Sequence, residues 1–352
     1  MTATSHTCND HPRVGRVPRT RWRALAVVIV VLGVTALGSG IALARTTAAP
    51  IGSGVVIIKT TLGYQRAAGT GTGMVLTSSG KILTNNHVIR GATRIAVVVP
   101  GTSRSYTARV VGYAVADDVA VLHADGASNL ATAKTSGSKV AVGDRVTAVG
   151  NGRGTGTLHS VTGSITTLRR SIVVRDHARG TVRLTGLIGA STDIEPGDSG
   201  GPLLNSANAV IGMNTAGSSG YASRSSTQAY AIPIGRALSI VRQIDAGRAS
   251  ARIHIGATPF LGIQIASYMR NGDSTSPGAL VASVVRGGPA AAAGVAPGDV
   301  ITAIDGRAIS SSSSITAAIL AKKPGAKVTI RLTDRSGAAR SATVTLASGP
   351  AQ

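Results

Sequence analysis

One cysteine, one glutamate and eight aromatic rings are all that 352 residues contain of those chemistries. A lone thiol, Cys8, cannot close an intramolecular disulfide, and no Cys-x-x-Cys pair exists to hold zinc. Neither a metal nor any other cofactor is expected. With aromatics at 2%, the stacking platforms of single-strand nucleic-acid binders are nearly missing. Any core must be built from Val, Ile, Leu and Ala. Acid is scarce as well: Glu195 is the only glutamate, and 36 basic residues against 14 acidic ones leave a net charge of +22. Such a charge attracts anionic surfaces such as membranes or envelope polymers. The arginines are scattered and form no single stripe, so no specific nucleic-acid partner is expected.

What is abundant is glycine, 45 residues of it, among short Val/Thr/Ser runs. That composition leans towards many short strands and turns. The stretch 24–44, ALAVVIVVLGVTALGSGIALA, carries no charge, and as a helix it spans about 31 Å, close to the roughly 30 Å of a bilayer core. Arg13, Arg16, Arg19, Arg21 and Arg23 precede it. The positive-inside rule makes 1–23 a basic cytoplasmic tail and exports the remainder. The length favours an uncleaved anchor, giving a single-pass protein of the cell membrane. The alternative is secretion after cleavage at Ala42-Leu43-Ala44, an A-x-A pattern.

Behind this segment, 45–53 reads as a linker. Short β-like runs follow, including a hairpin in GMVLTSSGKILTNN that turns at Ser78-Ser79-Gly80, then RIAVVV, YTARVVGY, VAVLHA, RVTAVG, VRLTGLIGA and AVIGMNTA. Strands at this spacing, without long helices between them, indicate a barrel or sandwich. IPIGRALSIVRQIDAG reads as a helix ending before Gly247. A polar join at 247–258 leads into a second module, 259–348. There ALVASVV and DVITAIDG read as strands, SSITAAILAKK as a helix, and AKVTIRLTD with ARSATVTLA as a closing hairpin.

IEPGDSGGPLLN, residues 194–205, sets one hydroxyl among three glycines and two prolines. Neither a strand interior nor a linker needs that composition. A backbone that exposes Ser199 and aims N–H groups at a neighbouring atom does need it. A serine nucleophile requires a base and an orienting carboxylate. LTNNHVI offers His87 at the end of a hairpin, and VADDVAVL offers Asp117 and Asp118. Adjacent strand residues face opposite ways, so one of the two aspartates can reach His87, and spacing leaves open which.

TNNHVI, DDVAVL and GDSGGPLLN in this order resemble the trypsin-like serine proteases of the HtrA (DegP-like) family with a C-terminal PDZ domain, most of all its mycobacterial PepA-type branch. VIGMNTA, YAIPIGRAL and FLGIQI agree at matching intervals. The resemblance covers about 55–348. It implies a mostly β protein: after the N-terminal transmembrane helix, a chymotrypsin-like pair of six-stranded β-barrels over 54–246, then a small α+β PDZ domain. It also implies catalysis by His87, Asp118 and Ser199, with Asp118 taken over Asp117, and an oxyanion hole from the backbone N–H groups of Gly197 and Ser199. In the second module it implies a carboxylate-binding loop at Leu261, Gly262 and Ile263, to which a peptide C-terminus adds as a strand.

Two departures stand out. HtrA proteins mostly carry Asn before the nucleophile, whereas this chain has Asp198, whose trypsin counterpart pairs with a new N-terminus not evident here. Ala229 stands where relatives usually have Gly, which narrows the substrate pocket. Six residues before Ser199, Asp193 occupies the position that forms the pocket floor in trypsin, so cleavage after Arg or Lys competes with cleavage after small apolar residues. Asn214 and Ala229 are the other pocket candidates. The expected function is an extracytoplasmic endopeptidase acting on unfolded or peptide substrates in envelope protein quality control, in an assembly that the resemblance makes trimeric. The alternative is a latent or protease-dead PDZ scaffold or chaperone.

Overall fold

A computed structural model describes residues 50–176, 180–217, 228–266 and 278–352. The apolar stretch 24–44 lies outside them. No helix among the described residues is long and apolar enough to cross a membrane.

The first six strands are β1 (Val55–Leu62), β2 (Ala67–Val75), β3 (Lys81–Thr84), β4 (Arg94–Val98), β5 (Ser105–Ala114) and β6 (Val119–Ala124). They pair in the order β5-β4-β1-β2-β3-β6, and β6 returns to β5, closing a barrel. The interior is filled by alternate residues such as Val56, Ile58, Ile82, Val97, Leu122 and the fully buried Tyr113. The second barrel is formed by β7 (Arg145–Gly150), β8 (His159–Asp176), β9 (Gly180–Ala190), β10 (Pro202–Leu204), β11 (Val210–Gly217) and β12 (Ala229–Pro233). Its closed order is β10-β11-β12-β9-β8-β7. The double six-stranded barrel anticipated from the sequence is therefore present.

Helix α1 (Asn86–Ile89) is a single turn following β3. Helix α2 (Ile234–Asp245) buries Ile234, Ala237, Ile240, Val241 and Ile244, the i, i+3, i+4 stripe of an amphipathic helix. Gly247, at φ +67°, ends it with its N–H on the Ile244 carbonyl. The stripe packs into one cluster with Val55, Met74 and Val121 of the first barrel and Leu187, Met213 and Ile232 of the second. Burying apolar side chains from both barrels under one helix fixes the barrels to each other.

β13 (His254–Ile255) lies in the join and extends the first barrel's sheet; the second module contains β14 (Thr258–Phe260), β15 (Ile263–Ile265), β16 (Ala279–Val284), β17 (Val300–Ile304), β18 (Arg307–Ala308), β19 (Lys327–Thr333), β20 (Ala339–Thr345) and β21 (Ala347–Gly349), with helices α3 (Pro289–Ala292) and α4 (Ser312–Leu320). The main sheet runs β15-β16-β17-β19-β20, over a core of Val281, Ile301, Ile315, Ile319, Val328 and Ile330. Helix α4 begins with a reciprocal capping box between Ser311 and Ser314. The module is tied to the first barrel at several points. β13 pairs with β5, Tyr64 stacks on Phe260 with centroids 5.1 Å apart, and Ala351 is buried among first-barrel residues. The Asn86 amide donates to the Gln352 carbonyl at 2.9 Å, and the Gly91 N–H donates to that of Ala351.

Candidate active site

The predicted base and carboxylate meet. His87 follows the β2–β3 hairpin, as expected, and sits in α1, because the chain after β3 makes one helical turn whose Val88 and Ile89 face the barrel interior. Its Nδ1 lies 2.8 Å from Oδ2 and 3.0 Å from Oδ1 of Asp118. Nδ1 must carry the proton to donate to a carboxylate, which leaves Nε2 as the acceptor. The His87 backbone N–H donates to Asp118 Oδ1 as well, at 3.0 Å. Asp118 is buried and left-handed at φ +53°, a backbone turn that aims its side chain at His87.

Asp117 is turned the other way. It ends the 3₁₀ turn Val115–Asp117 and is held by the guanidinium groups of Arg236 on α2 and Arg252, the latter at 3.1 Å to both carboxylate oxygens. The pair that spacing left open is thus divided by geometry: one carboxylate orients the imidazole, and the other anchors the turn.

Ser199 reaches the same place from the second barrel. Its hydroxyl is 3.3 Å from the Thr215 carbonyl, and the Thr215 hydroxyl donates to Asp118 Oδ2 at 2.5 Å. Thr215 therefore touches both ends of the constellation. Sequence reasoning missed it. The available signal was a hydroxyl residue in the strand VIGMNTA, facing inward beside the Asn214 that was singled out. The nucleophile's own backbone is held by the first barrel: the Thr72 N–H donates to the Ser199 carbonyl at 2.9 Å, and the Thr72 hydroxyl donates to the Gly197 carbonyl at 2.7 Å.

The glycines around Ser199 are explained by close approach. Gly197 has φ +107°, and a Cβ there would lie 2.2 Å from the Asn151 carbonyl oxygen. At Gly200, φ +87°, it would lie 2.0 Å from that of Thr72. The Pro196 carbonyl accepts the Arg153 N–H at 2.7 Å. In a trans peptide the following N–H, that of Gly197, points to the opposite side. Among the described residues, neither this N–H nor that of Ser199 is donated to a protein acceptor.

The pocket candidates fare differently. Asp193, one candidate for the pocket floor, is exposed, between buried Thr192 and Ile194. The strand-like alternation of that stretch turns its side chain to solvent, where its charge acts on Arg153. Asn214 is buried, but its amide is spent on the carbonyls of Pro202 at 3.1 Å and Val149 at 3.5 Å, inside the barrel. Ala229 is buried in an apolar cluster with Ile165, Ala190 and Ile194. In the second module, Leu261 is buried and Gly262 has φ +80°. The carbonyls of both residues accept from Ala290 and Val285, and Ile263 opens β15, an edge strand of its sheet.

Comparison with known proteins identifies both domains. Residues 71–213 match the trypsin-like peptidase domain and residues 259–346 match the PDZ domain. The serine protease PepD of Mycobacterium tuberculosis is 34% identical over 316 residues, 85% of this chain and 65% of the relative. A probable periplasmic serine endoprotease, DegP-like, of Pseudomonas savastanoi pv. phaseolicola is 35% identical over 289 residues, 80% of this chain and 56% of the relative. The HtrA-type protease AlgW, solved with a tripeptide, is 28% identical with a TM-score of 0.48, covering 84% of this chain and 93% of that one. The chain spans less than two thirds of the length of these two curated relatives. The protein is a trypsin-like peptidase domain followed by a PDZ domain. Over these two domains it is similar to the PepD and DegP-like serine proteases.

Proposed function

We propose that the chain is a serine endopeptidase acting outside the cytoplasm, with its peptidase domain over 54–246 and a PDZ domain over 259–348. The observation that carries this reading is the pair of contacts made by Thr215, one to Ser199 and one to the Asp118 that orients His87. Ser199 Oγ attacks the peptide carbonyl and passes its proton to His87 Nε2. His87 then gives that proton to the leaving amine, and a water molecule releases the acyl group by the reverse sequence. Asp118 keeps Nδ1–H in place and stabilises the imidazolium. The undonated N–H groups of Gly197 and Ser199 receive the oxyanion. Such a donor is typically worth about 10²–10³ in rate.

The substrates are unfolded chains or peptides. Cleavage follows small apolar residues, because the buried neighbours Ala190, Ile194 and Ala229 of the nucleophile loop are apolar while Asp193 is exposed. The PDZ module takes a peptide C-terminus along the open edge of β15. Residues 24–44 anchor the chain with its catalytic part outside, where it serves envelope protein quality control.

The deciding experiment treats the full chain with a biotinylated fluorophosphonate and with dye-labelled casein. Labelling at Ser199 together with casein hydrolysis supports the peptidase. Labelling without hydrolysis supports the latent scaffold. An absence of labelling overturns both the triad and the peptidase. For the PDZ module, a peptide with a free apolar C-terminus should bind more tightly than its amidated form, and equal affinity would remove the carboxylate loop.

A further inference from the structure

The carboxylate of Asp198, next to the nucleophile, lies deep in the structure, 2% exposed. In the trypsin solution a new chain terminus neutralises that residue, but here the partner is internal. Asp198 Oδ2 accepts the Glu195 N–H at 2.8 Å and lies 3.3 Å from Nε2 of His159, the first residue of β8. Among the described residues, Oδ1 has no hydrogen-bond partner. The other ring nitrogen, Nδ1, accepts the Gly152 N–H at 3.1 Å. Two loops thereby grip one imidazole. The loop 195–198 carries Gly197, and the turn Gly152–Gly154 supplies the Arg153 N–H that holds the Pro196 carbonyl.

Gly152 is what leaves room for the ring, since a Cβ there would lie 2.0 Å from His159 Cε1. The tautomer follows from the donors. A backbone N–H can only donate, so Nδ1 is bare and Nε2 carries the proton towards Asp198. We propose that His159 is a positioning residue for the oxyanion hole: a neutral Nε2–H imidazole that clamps Asp198 to the 152–154 turn and so fixes the Pro196–Gly197 peptide. This inference rests on the peptidase reading given above.

The clamp is sensitive to protonation at the ring. The charged groups around it are Asp198 and Glu195 on the nucleophile loop and Arg153 on the opposite turn, with Asp193 adding its charge to Arg153. Burial and the nearby Glu195 charge raise the Asp198 carboxyl above its ordinary value, while the Glu195 N–H lowers it, as the ring would in its charged form. A second proton on the ring would sit on Nδ1 and face the Gly152 N–H, breaking that bond, while Nε2 would still face Asp198 at 3.3 Å.

The test uses the full chain carrying His159→Ala, His159→Gln or Gly152→Ala, assayed with dye-labelled casein and the fluorophosphonate. His159→Ala should lower kcat by about 10- to 100-fold with KM changed less than about threefold, because the lost interaction acts on the transition state. Fluorophosphonate labelling should slow in parallel. Gly152→Ala should behave like His159→Ala by displacing the ring. His159→Gln, whose amide can still donate to Asp198, should recover most of the rate. Nitrogen-15 NMR of the imidazole should show the Nε2–H tautomer. A kcat for His159→Ala within about twofold of the parent, or a ring protonated at Nδ1, would overturn the clamp. A parent chain that is never labelled overturns the peptidase reading itself. NMR still reads the ring in that chain, so the two failures are distinct.

Discussion

The two barrels hold equal numbers of strands and unequal amounts of regularity. Among the described pairings of the first, the register slips once, between Val110 and Gly112. In the second it slips three times between β8 and β9, and again in β10–β11 and β11–β12. Alanine is common in both interiors, five of sixteen buried residues in the first cluster and four of ten in the second, and the first also encloses the ring of Tyr113. The regular barrel carries the base and its carboxylate on a helical turn and a 3₁₀ turn. The irregular barrel carries the nucleophile loop, where glycines and polar side chains take over the work of strand pairing. Bulged strands re-aim side chains, which suits the half that must shape a substrate pocket.

The sharpest test of this contrast removes chemistry without touching the framework. Ser199→Ala or His87→Ala should each lower casein hydrolysis by roughly 10⁴–10⁶-fold, since the triad acts as a unit. The melting temperature should hardly move, because both side chains are partly exposed.

Next in size is Gly197→Ala, which strikes the loop held by clamps. With φ at +107° and a backbone oxygen 2.2 Å from the new Cβ, the loop must shift. A displaced oxyanion donor should cost about 10²–10³ in kcat, measurable at saturating casein. An effect below tenfold would show that this loop is less tightly built than the contrast requires.

On the regular side, Asp117→Asn should act on stability before rate. It leaves Arg236 and Arg252 facing a neutral amide, and because both arginines retain solvent contact the loss should be about 1–3 kcal/mol in urea unfolding. A fall in kcat larger than the fall produced by Asp118→Asn would reverse the division of labour between the two aspartates.

The smallest expected effect has the opposite sign. Burial raises the Asp198 carboxyl, so the folded protein binds that proton more tightly than the unfolded chain does. The associated stability is fully present below the unfolded pKa and is lost as pH rises through the folded one. Asp198→Asn has no charge to bury. Its melting temperature should therefore exceed that of the parent slightly at neutral pH, and the gap should shrink on acidification. A gap that widens in acid would contradict the assignment.

Much of this was legible in the sequence, for identifiable reasons. The barrel strands showed as Val/Ile runs between turn residues, and helix α2 showed through its apolar stripe and closing glycine. The nucleophile loop announced itself because close backbone approach excludes Cβ atoms at Gly197 and Gly200. The long β8 was not read, since LRRSIVV alternates poorly and faces solvent at Leu168 and Val173. Asp193 was misplaced because counting from Ser199 fixes a position along the chain but not the side of the backbone from which it projects. Thr215 and His159 escaped for another reason. A lone threonine or histidine has no local pattern, and each acquires meaning only from a partner 97 or 39 positions away.

The burial of Ala351 in the first barrel bears on how such a chain can be divided. β21 pairs with β14, and the residues just beyond it fill a gap beside Ile89 and cap the turn that bears His87. The seam between the two modules therefore does not coincide with the linker at 247–258. Cutting there to isolate the peptidase would leave an apolar socket and an uncapped Asn86, whereas a splice that keeps 350–352 would not. Inheritance of the two halves as a pair, rather than by free shuffling at the linker, is the outcome this geometry favours.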